Sequence, residues 1–207
     1  MINIDLRKIK YGQLSGYAEF FEWNELPKDN SQILCRFVQF CPENPSKIQL
    51  AKNLNNLIGV TTISCGLVTN NPQEWPFKYY MNEFGDLCLE KKEIAIAEKK
   101  YDEVNELVYM STKREESFLP AINENFQPDV KYITRFLRKE WIQVILMGQC
   151  IIEDDGNCKE GEYCTLYQGD DKTKYGIAVP AKKSDKVKFY VMGRICNNTI
   201  MCLLKNI

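Results

Sequence analysis

The chain has 207 residues, of which 44% are hydrophobic. A chain of this length buries roughly two-thirds of the surface that its unfolded form exposes. We therefore expect one domain that folds without disulfide bonds. Lys and Arg (27) nearly balance Asp and Glu (28), giving a formal net charge of -1; with no basic stripe, this argues against nucleic acid or an anionic membrane as a partner. Histidine is absent, which excludes the histidine-dependent serine and cysteine proteases.

The first predicted element, residues 17–23, places two carboxylates among four aromatic residues. Its Tyr, Phe and Trp residues favour a strand, in which Tyr17, Glu19 and Phe21 face one way and Glu22 the other. A helix would instead put both glutamates on one face. Enclosed together, the two carboxylates would repel each other unless one held a proton. The plainer alternative is a strand whose carboxylates face solvent.

Strand-like segments follow along most of the chain. They are short, apolar or alternating, and separated by turn residues. Gly59 within one of them suggests a bulge or a close backbone approach. The segments are 32–40, 47–51, 57–63, 87–97, 141–152, 175–179, 187–192 and 199–204. The sequence therefore predicts a mainly β protein.

Residues 98–139 differ from the rest because they are charged, rich in aromatic residues and nearly free of glycine. Stretches at 100–110 and 132–139 are compatible with helices. We expect a large, partly helical insertion that packs on the sheet or on a neighbouring subunit, since many large apolar side chains would otherwise contact water. A solvated loop is the alternative.

Two other clusters are candidate binding sites. Glu153, Asp154 and Asp155 form an acidic turn that would bind a cation or simply be solvated. The aromatic stretch 74–80 would hold a peptide or a sugar, or belong to the scaffold. No glycine-rich phosphate loop is found in the sequence, so no nucleotide-binding residues are assigned.

The nine cysteines are interpreted as free thiols of a reducing compartment. Residues 1–8 lack the apolar core of a secretory signal peptide. The cysteine spacings do not fit a zinc site. Cys35, Cys88 and Cys202 lie in apolar runs and are expected to be small buried hydrophobes.

The segment Tyr17-Ala18-Glu19-Phe20-Phe21-Glu22-Trp23 resembles the opening signature of the peptidase G2 family, the autoproteolytic intramolecular chaperone domain at the C-terminus of phage tail-spike and neck-appendage proteins. Further motifs resemble the family in the same order, from about Tyr17 to the C-terminus. They are 36–38, 47–51, 57–61, 83–86, 139–144, 147–149, 154–158, 161–164, 176–178 and 191–194.

The resemblance implies a trimeric β-rich module with a compact barrel-like or sandwich core. Such a module helps a preceding fibrous domain to fold and then cuts a peptide bond just upstream of its own first strand. Residues 1–16 would form an N-terminal arm with the cleavage junction, and 17–207 the peptidase domain, with its insertion at about 98–139. The implied partners are other copies of the chain and a viral fibre or capsid protein, in the virion or in the cytoplasm of the infected host.

The resemblance also implies a self-cleaving endopeptidase of the glutamic type. Glu19 would be its general base or acid, and Glu22 a second carboxylate or a structural residue. Ser15 would attack the preceding carbonyl, making Leu14–Ser15 the candidate scissile bond; the alternative for Ser15 is a turn residue before Gly16. No cofactor or metal is expected, although some family members are thought to respond to ATP.

Two alternatives stay open. Gly16 stands where family members usually carry an acidic residue, which leaves room for a non-catalytic virion or assembly module of the same fold. A third class is a sugar- or peptide-binding module that uses the aromatic stretch around Trp75.

Overall fold

A computed structural model describes residues 15–29, 33–101 and 107–205. These residues form twelve strands and two short 3-10 helices, which confirms the mainly β prediction. The strands are β1 (Gly16–Trp23), β2 (Phe37–Cys41), β3 (Asn44–Leu50), β4 (Leu57–Thr62), β5 (Leu67–Thr69), β6 (Leu89–Tyr101), β7 (Leu107–Pro120), β8 (Trp141–Glu153), β9 (Tyr163–Leu166), β10 (Ala178–Pro180), β11 (Phe189–Cys196) and β12 (Thr199–Leu204). The 3-10 helices are Arg135–Leu137 and Lys172–Lys174.

The chain divides into two compact units. The first comprises Met1–Asn71 and Ile133–Ile207, and the second is Pro72–Tyr132. The second unit overlaps the insertion expected at 98–139 but begins earlier in the chain. No helix in the described part of the chain is long and apolar enough to cross a membrane.

The first unit contains a closed ring of five strands. β8 pairs with β1 along one edge and with β4 along the other, β4 pairs with β2, and β2 pairs with β3. A short parallel contact between β1 and β3, in which Glu22 lies opposite Lys47, closes the ring. This ring corresponds to the barrel-like core that was expected.

β8 also extends the sheet beyond the ring. Its second half, from Gly148 to Glu153, pairs with β12, and β11, β9 and β10 follow in that order. One buried cluster draws side chains from all five ring strands, with Trp23, Ile48 and Val144 at its centre. A second cluster joins ring residues such as Phe37 to the apolar faces of β8 to β12.

Gly59 confirms the expected close backbone approach. A Cβ atom at this position would lie 2.0 Å from the carbonyl oxygen of Ile145 on β8. Because side chains cannot occupy that space, only glycine lets β4 lie against β8 at this point.

The second unit is built on a long two-stranded antiparallel sheet of β6 and β7, with Leu89 opposite Pro120 at one end and Tyr101 opposite Leu107 at the other. The prediction of a helix over 100–110 is therefore wrong for the described residues. Charged residues of β6 and β7 form ion pairs across the two strands, such as Lys91 with Glu116 at 2.7 Å. Such cross-strand pairs stabilise a sheet. The stretch 132–139 contains only the 3-10 turn Arg135–Leu137.

Candidate functional site

β1, the strand that carries the predicted site, lies between neighbours on both edges. β8 runs antiparallel to it along its whole length, while β5 pairs in parallel with Tyr17 to Glu19. Ala18 and Phe20 are buried on one face, and Tyr17 and Glu19 contact each other on the opposite face. The alternation predicted for residues 17–23 is thus the one observed.

Glu19 stands opposite Val144 of β8 and Thr69 of β5, and it is half-buried. The Tyr17 hydroxyl donates a hydrogen bond to Oε1 of Glu19. Thr69 Oγ1 in turn donates to the Tyr17 hydroxyl at 3.0 Å. We call Thr69, Tyr17 and Glu19 the Glu19 network.

The end of β5 is fixed against β1 by the residue that follows Thr69. Asn70 donates from Nδ2 to the Phe20 carbonyl at 3.0 Å, and its own carbonyl accepts from Arg135 at 2.7 Å. These contacts hold Thr69 in register with β1. The hydrogen bonds from Thr69 through Tyr17 to Glu19 therefore start from a paired strand and not from a free loop.

The network leaves one carboxylate oxygen available for chemistry. Among residues 15–29, 33–101 and 107–205, no hydrogen-bond partner contacts Oε2 of Glu19. A carboxyl group whose orientation is fixed by a neighbouring hydroxyl, and which keeps one oxygen for a substrate or water, is suited to proton transfer.

Glu22 occupies a different environment from Glu19. The two side chains project from opposite faces of β1, and Glu22 forms an ion pair with Lys47 at 2.7 Å. The enclosed carboxylate pair that the spacing suggested is therefore not formed. This arrangement favours the structural alternative for Glu22, because its charge is balanced at the contact that closes the ring.

Ser15 is exposed, and its backbone is anchored to β8. The Ser15 carbonyl oxygen accepts a hydrogen bond from the Gln149 amide at 2.8 Å. Gly148, with φ of +103°, lies so close that a Cβ there would be 2.6 Å from the Ser15 carbonyl oxygen and 2.6 Å from the Gly16 Cα. Leu14 lies outside the described residues.

The structure does not bring Ser15 and Glu19 together within one chain. Four residues of extended backbone separate their Cα atoms by about 13 Å. Tyr17 stands between them in the chain and directs its hydroxyl to Glu19.

An apolar groove lies beside the Glu19 network. It encloses about 500 Å³ and is lined by Tyr17, Phe21, Phe40, Leu57, Ile58, Leu146 and Met147. A β-bulge in the β1–β8 pairing separates Met147 from Ile145, so both Leu146 and Met147 reach the groove. Exposed Leu67 and Met147 lie opposite Tyr17 on its two sides.

Comparison with known proteins identifies the family. A family model described as Peptidase_G2, IMC autoproteolytic cleavage domain, matches residues 7–196. The chain belongs to this family. It is 31% identical over 149 residues to the preneck appendage protein of Bacillus phage PZA, covering 72% of the chain and 15% of that protein. It is 30% identical over 125 residues to the pre-neck appendage protein of Bacillus phage B103, covering 60% of the chain and 13% of that protein.

Two solved structures share the fold of this peptidase G2 domain. The pre-mature bacteriophage phi29 gene product 12 aligns with a TM-score of 0.61 and 23% identity over 93% of the chain and 22% of that protein. A C-terminal fragment of phi29 gene product 12 aligns with a TM-score of 0.59 and 23% identity over 91% of the chain and 99% of the fragment. The chain thus spans less than a quarter of its full-length relatives and nearly all of the fragment.

Arginine side chains form ion pairs with the acidic turn of this peptidase G2 domain. Glu153 pairs with buried Arg36 at 2.8 Å. Fully buried Asp154 accepts two hydrogen bonds from Arg194, at 3.1 Å and 2.8 Å. The solvated alternative is wrong for Asp154, and guanidinium groups supply the positive charge next to two of the three carboxylates.

The aromatic stretch of the domain has both scaffold and surface character. The Trp75 indole donates to the Val130 carbonyl at 3.2 Å, and its ring packs on Tyr132 with centroids 5.4 Å apart. Phe77 is 77% exposed. Trp75 and Phe77, with nearby residues, line a pocket of about 320 Å³ within the second unit.

All nine thiols are free. Cys202 is buried as expected, whereas Cys35 and Cys88 are half-buried. Burial, followed by the charge of Glu153, raises the pKa of Cys35 to about 12. Burial also raises the pKa of Cys150 well above its ordinary value. These thiols are packing groups rather than nucleophiles.

Sequence reasoning assigned no site role to three residues, although two of them, Gly148 and Gln149, lie in the family-like motif 147–149. Thr69, Gly148 and Gln149 act through pairing between segments that are distant in the chain. Tyr17 was placed correctly on the face of Glu19, but its hydroxyl was not recognised as a partner. Its position two residues before a glutamate on a strand was the signal that pointed to it.

Proposed function

We propose that this peptidase G2 domain cleaves its own polypeptide just upstream of β1, with Glu19 as the general base and then the general acid. One observation carries the proposal: the Tyr17 hydroxyl orients the Glu19 carboxylate beside an open apolar groove. The family match supports it, because the matched residues 7–196 include both the junction and Glu19.

The proposed reaction is hydrolysis of the Leu14–Ser15 bond. Glu19 accepts a proton from water as the water oxygen bonds to the Leu14 carbonyl carbon. The carboxyl group then gives that proton to the Ser15 nitrogen as the carbon–nitrogen bond breaks. In the alternative route, the Ser15 hydroxyl attacks the same carbonyl, which gives an ester and a free amine, and water hydrolyses the ester.

We further propose that the domain works as a homotrimer on a phage fibre, assists the folding of the segment before it, and enters the virion with its partner. The appendage proteins of phages PZA and B103 support this role, since they are viral structural components that contain a similar segment. No cofactor is assigned. An ATP response, implied by the family, is tested by adding ATP to the cleavage reaction.

The test uses a fibrous segment fused before Ser15. Intact-mass spectrometry and N-terminal sequencing are expected to detect a released fragment that begins at Ser15. Glu19→Gln is expected to abolish release, because the amide cannot accept the proton. Glu22→Gln, on the same strand but paired with Lys47, is the matched control and is expected to leave release intact. Full-length product from the unmutated fusion under native conditions would count against the proposal.

A non-catalytic assembly module is the second candidate function. The separation of about 13 Å between Ser15 and Glu19 within one extended strand favours it. This alternative predicts an intact N-terminus on the fusion and stable association with a capsid or fibre protein. The same mass measurement therefore separates the two candidates.

A further inference from the structure

The second unit holds a pocket that the proposed self-cleavage does not use. It encloses about 320 Å³ and is lined by Trp75, Phe77, Asn123, Asn125, Phe126, Gln127 and Val130. All of these residues belong to the second unit, whereas the Glu19 network belongs to the first. Aromatic rings and side-chain amides meet in this cavity, and that combination is typical of sites that bind small polar molecules.

Hydrogen bonds to the backbone hold the walls of this pocket in place. The Asn123 amide donates to the Lys78 carbonyl at 2.9 Å. The Phe126 amide donates to the Asn123 carbonyl at 2.9 Å, which closes a turn. The Trp75 indole is fixed by its hydrogen bond to the Val130 carbonyl at 3.2 Å. The pocket is therefore formed before a ligand arrives, which lowers the entropic cost of binding.

The lining of the pocket favours a neutral ligand. None of the seven described side chains that line it is ionisable. Lys78, whose ammonium lies 5.7 Å from the centre of the Phe126 ring, forms an ion pair with Glu74 at 2.7 Å. A charged ligand would therefore lose hydration without gaining an opposite charge from the lining.

Side-chain amides supply the hydrogen bonds that a neutral polar ligand needs. Among the described residues, the Gln127 side chain has no hydrogen-bond partner. The orientation of Asn123 is fixed, because its Oδ1 accepts from the Asn125 amide at 2.9 Å. An amide group carries donors and an acceptor in one plane, and each sugar hydroxyl both donates and accepts. Adjacent hydroxyls of a sugar therefore match one amide.

The aromatic side chains of the pocket fit the apolar face of a sugar ring. Phe77 is 77% exposed and Trp75 is 40% exposed. The face of an aromatic ring carries partial negative charge, so it attracts the C–H groups on one side of a sugar. An extended peptide would instead need a free strand edge for its backbone. The bridge between Tyr79 and Ile122 already pairs the two segments beside the pocket.

We propose that the pocket of the second unit binds one neutral sugar ring, a hexose or an N-acetylhexosamine. The rings of Phe77 and Trp75 contact the apolar face of the sugar, and the Gln127 amide binds its hydroxyl groups. This site does not depend on the proposed self-cleavage, so either proposal can fail without the other.

The test is titration of the full chain with the methyl glycosides of glucose, galactose and N-acetylglucosamine, followed by saturation-transfer NMR. We expect saturable binding of at least one of them with a Kd of about 1–10 mM, because a single small ring makes few contacts. Absence of saturable binding for all three sugars up to about 50 mM would overturn the inference. Binding of an acetylated tripeptide amide in place of the sugars would also overturn it.

Variants of the lining residues locate the binding. Phe77→Ala is expected to raise the Kd by about tenfold, because the ring contact is lost. Gln127→Ala is expected to raise it by about threefold to tenfold through the loss of a hydrogen bond. This second variant changes an exposed side chain, so it keeps the test decisive if Phe77→Ala does not fold.

Phe84→Ala is the matched control, because Phe84 is 81% exposed in the same unit and does not line the pocket. Its Kd is expected to equal that of the unmutated chain. Equal Kd values for all three variants would contradict binding in the pocket. A lower assembly mass for Phe77→Ala in analytical ultracentrifugation, without saturable sugar binding by the unmutated chain, would assign the pocket to a contact between copies and overturn the inference.

Discussion

Replacement of Gly148 by alanine tests how the proposed cleavage junction is held. Gly148 has φ of +103°, and an added Cβ would lie 2.6 Å from two backbone atoms, the Ser15 carbonyl oxygen and the Gly16 Cα. Backbone atoms cannot rotate away as a flexible side chain can. The first residues of β1 must therefore move off β8, and the hydrogen bond from Gln149 to Ser15 is lost.

The expected loss of stability has two parts. A side chain at positive φ costs about 1–2 kcal/mol, and loss of one backbone hydrogen bond costs about 0.5–1.5 kcal/mol. The free energy of unfolding of Gly148→Ala is therefore expected to fall by about 1.5–3.5 kcal/mol. Gly161→Ala isolates the first part, because Gly161 has φ of +80° with no atom within 4 Å of its Cβ position. Its expected loss is about 1–2 kcal/mol.

Urea unfolding measures both free energies, and hydrogen exchange reports on the Gln149 amide. We expect this amide to exchange faster in Gly148→Ala, and to keep its protection in Gly161→Ala. Equal unfolding free energies for the two variants, together with unchanged protection of Gln149, would refute the close approach of the junction to β8. In the fusion protein, Gly148→Ala is also expected to reduce release, because the junction loses its fixed position.

Three further predictions follow from contacts of the described residues. Tyr17→Phe is expected to slow release by about tenfold, since the site carboxylate loses one charge-assisted hydrogen bond worth about 1.5 kcal/mol. Arg194→Met is expected to lower the free energy of unfolding by about 3 kcal/mol, measured by urea titration, because Asp154 stays buried without its partner. Iodoacetamide at pH 8 is expected to alkylate exposed Cys196 and to spare Cys35, whose pKa burial raises to about 12, as judged by peptide mass mapping.

Each of these predictions has a control within the chain. Tyr163→Phe, at an exposed position, should leave release unchanged; an equal loss would count against the role of Tyr17. Lys91→Met removes an exposed ion pair and should cost less than about 1 kcal/mol. In urea all nine thiols should react, and fast alkylation of Cys35 in the folded protein would contradict the raised pKa of that thiol.

The strands of the first unit were predictable because their patterns are local. The alternation of residues 17–23 fixed which side chains share a face, and Gly59 signalled the approach of another backbone. The same alternation already separated Glu19 from Glu22, since residues three apart on a strand project from opposite faces. A shared proton between them was compatible only with a helix.

The rest of the site depends on pairing between distant segments. Thr69 donates to a tyrosine 52 residues earlier, and Arg194 binds an aspartate 40 residues away. Such contacts exist only once the ring has closed and β12 has paired with β8, so no local pattern indicates them. The first strand of the β6–β7 hairpin was predicted at 87–97, but β7 was missed for a related reason. Its charged residues look helical by composition, and only the pairing across the hairpin reveals the strand.

The geometry of β8 links stability to the proposed chemistry. This single strand places Val144 opposite Glu19, bulges to turn Leu146 and Met147 toward the groove, and brings Gly148 against the junction. A shift of one residue in its pairing with β1 would turn every side chain to the other face, which would remove the groove and the junction contact together. Because β8 also pairs with β4 and β12, such a shift would disrupt the whole first unit. The pairing of β8 therefore fixes the position of Ser15 relative to Glu19.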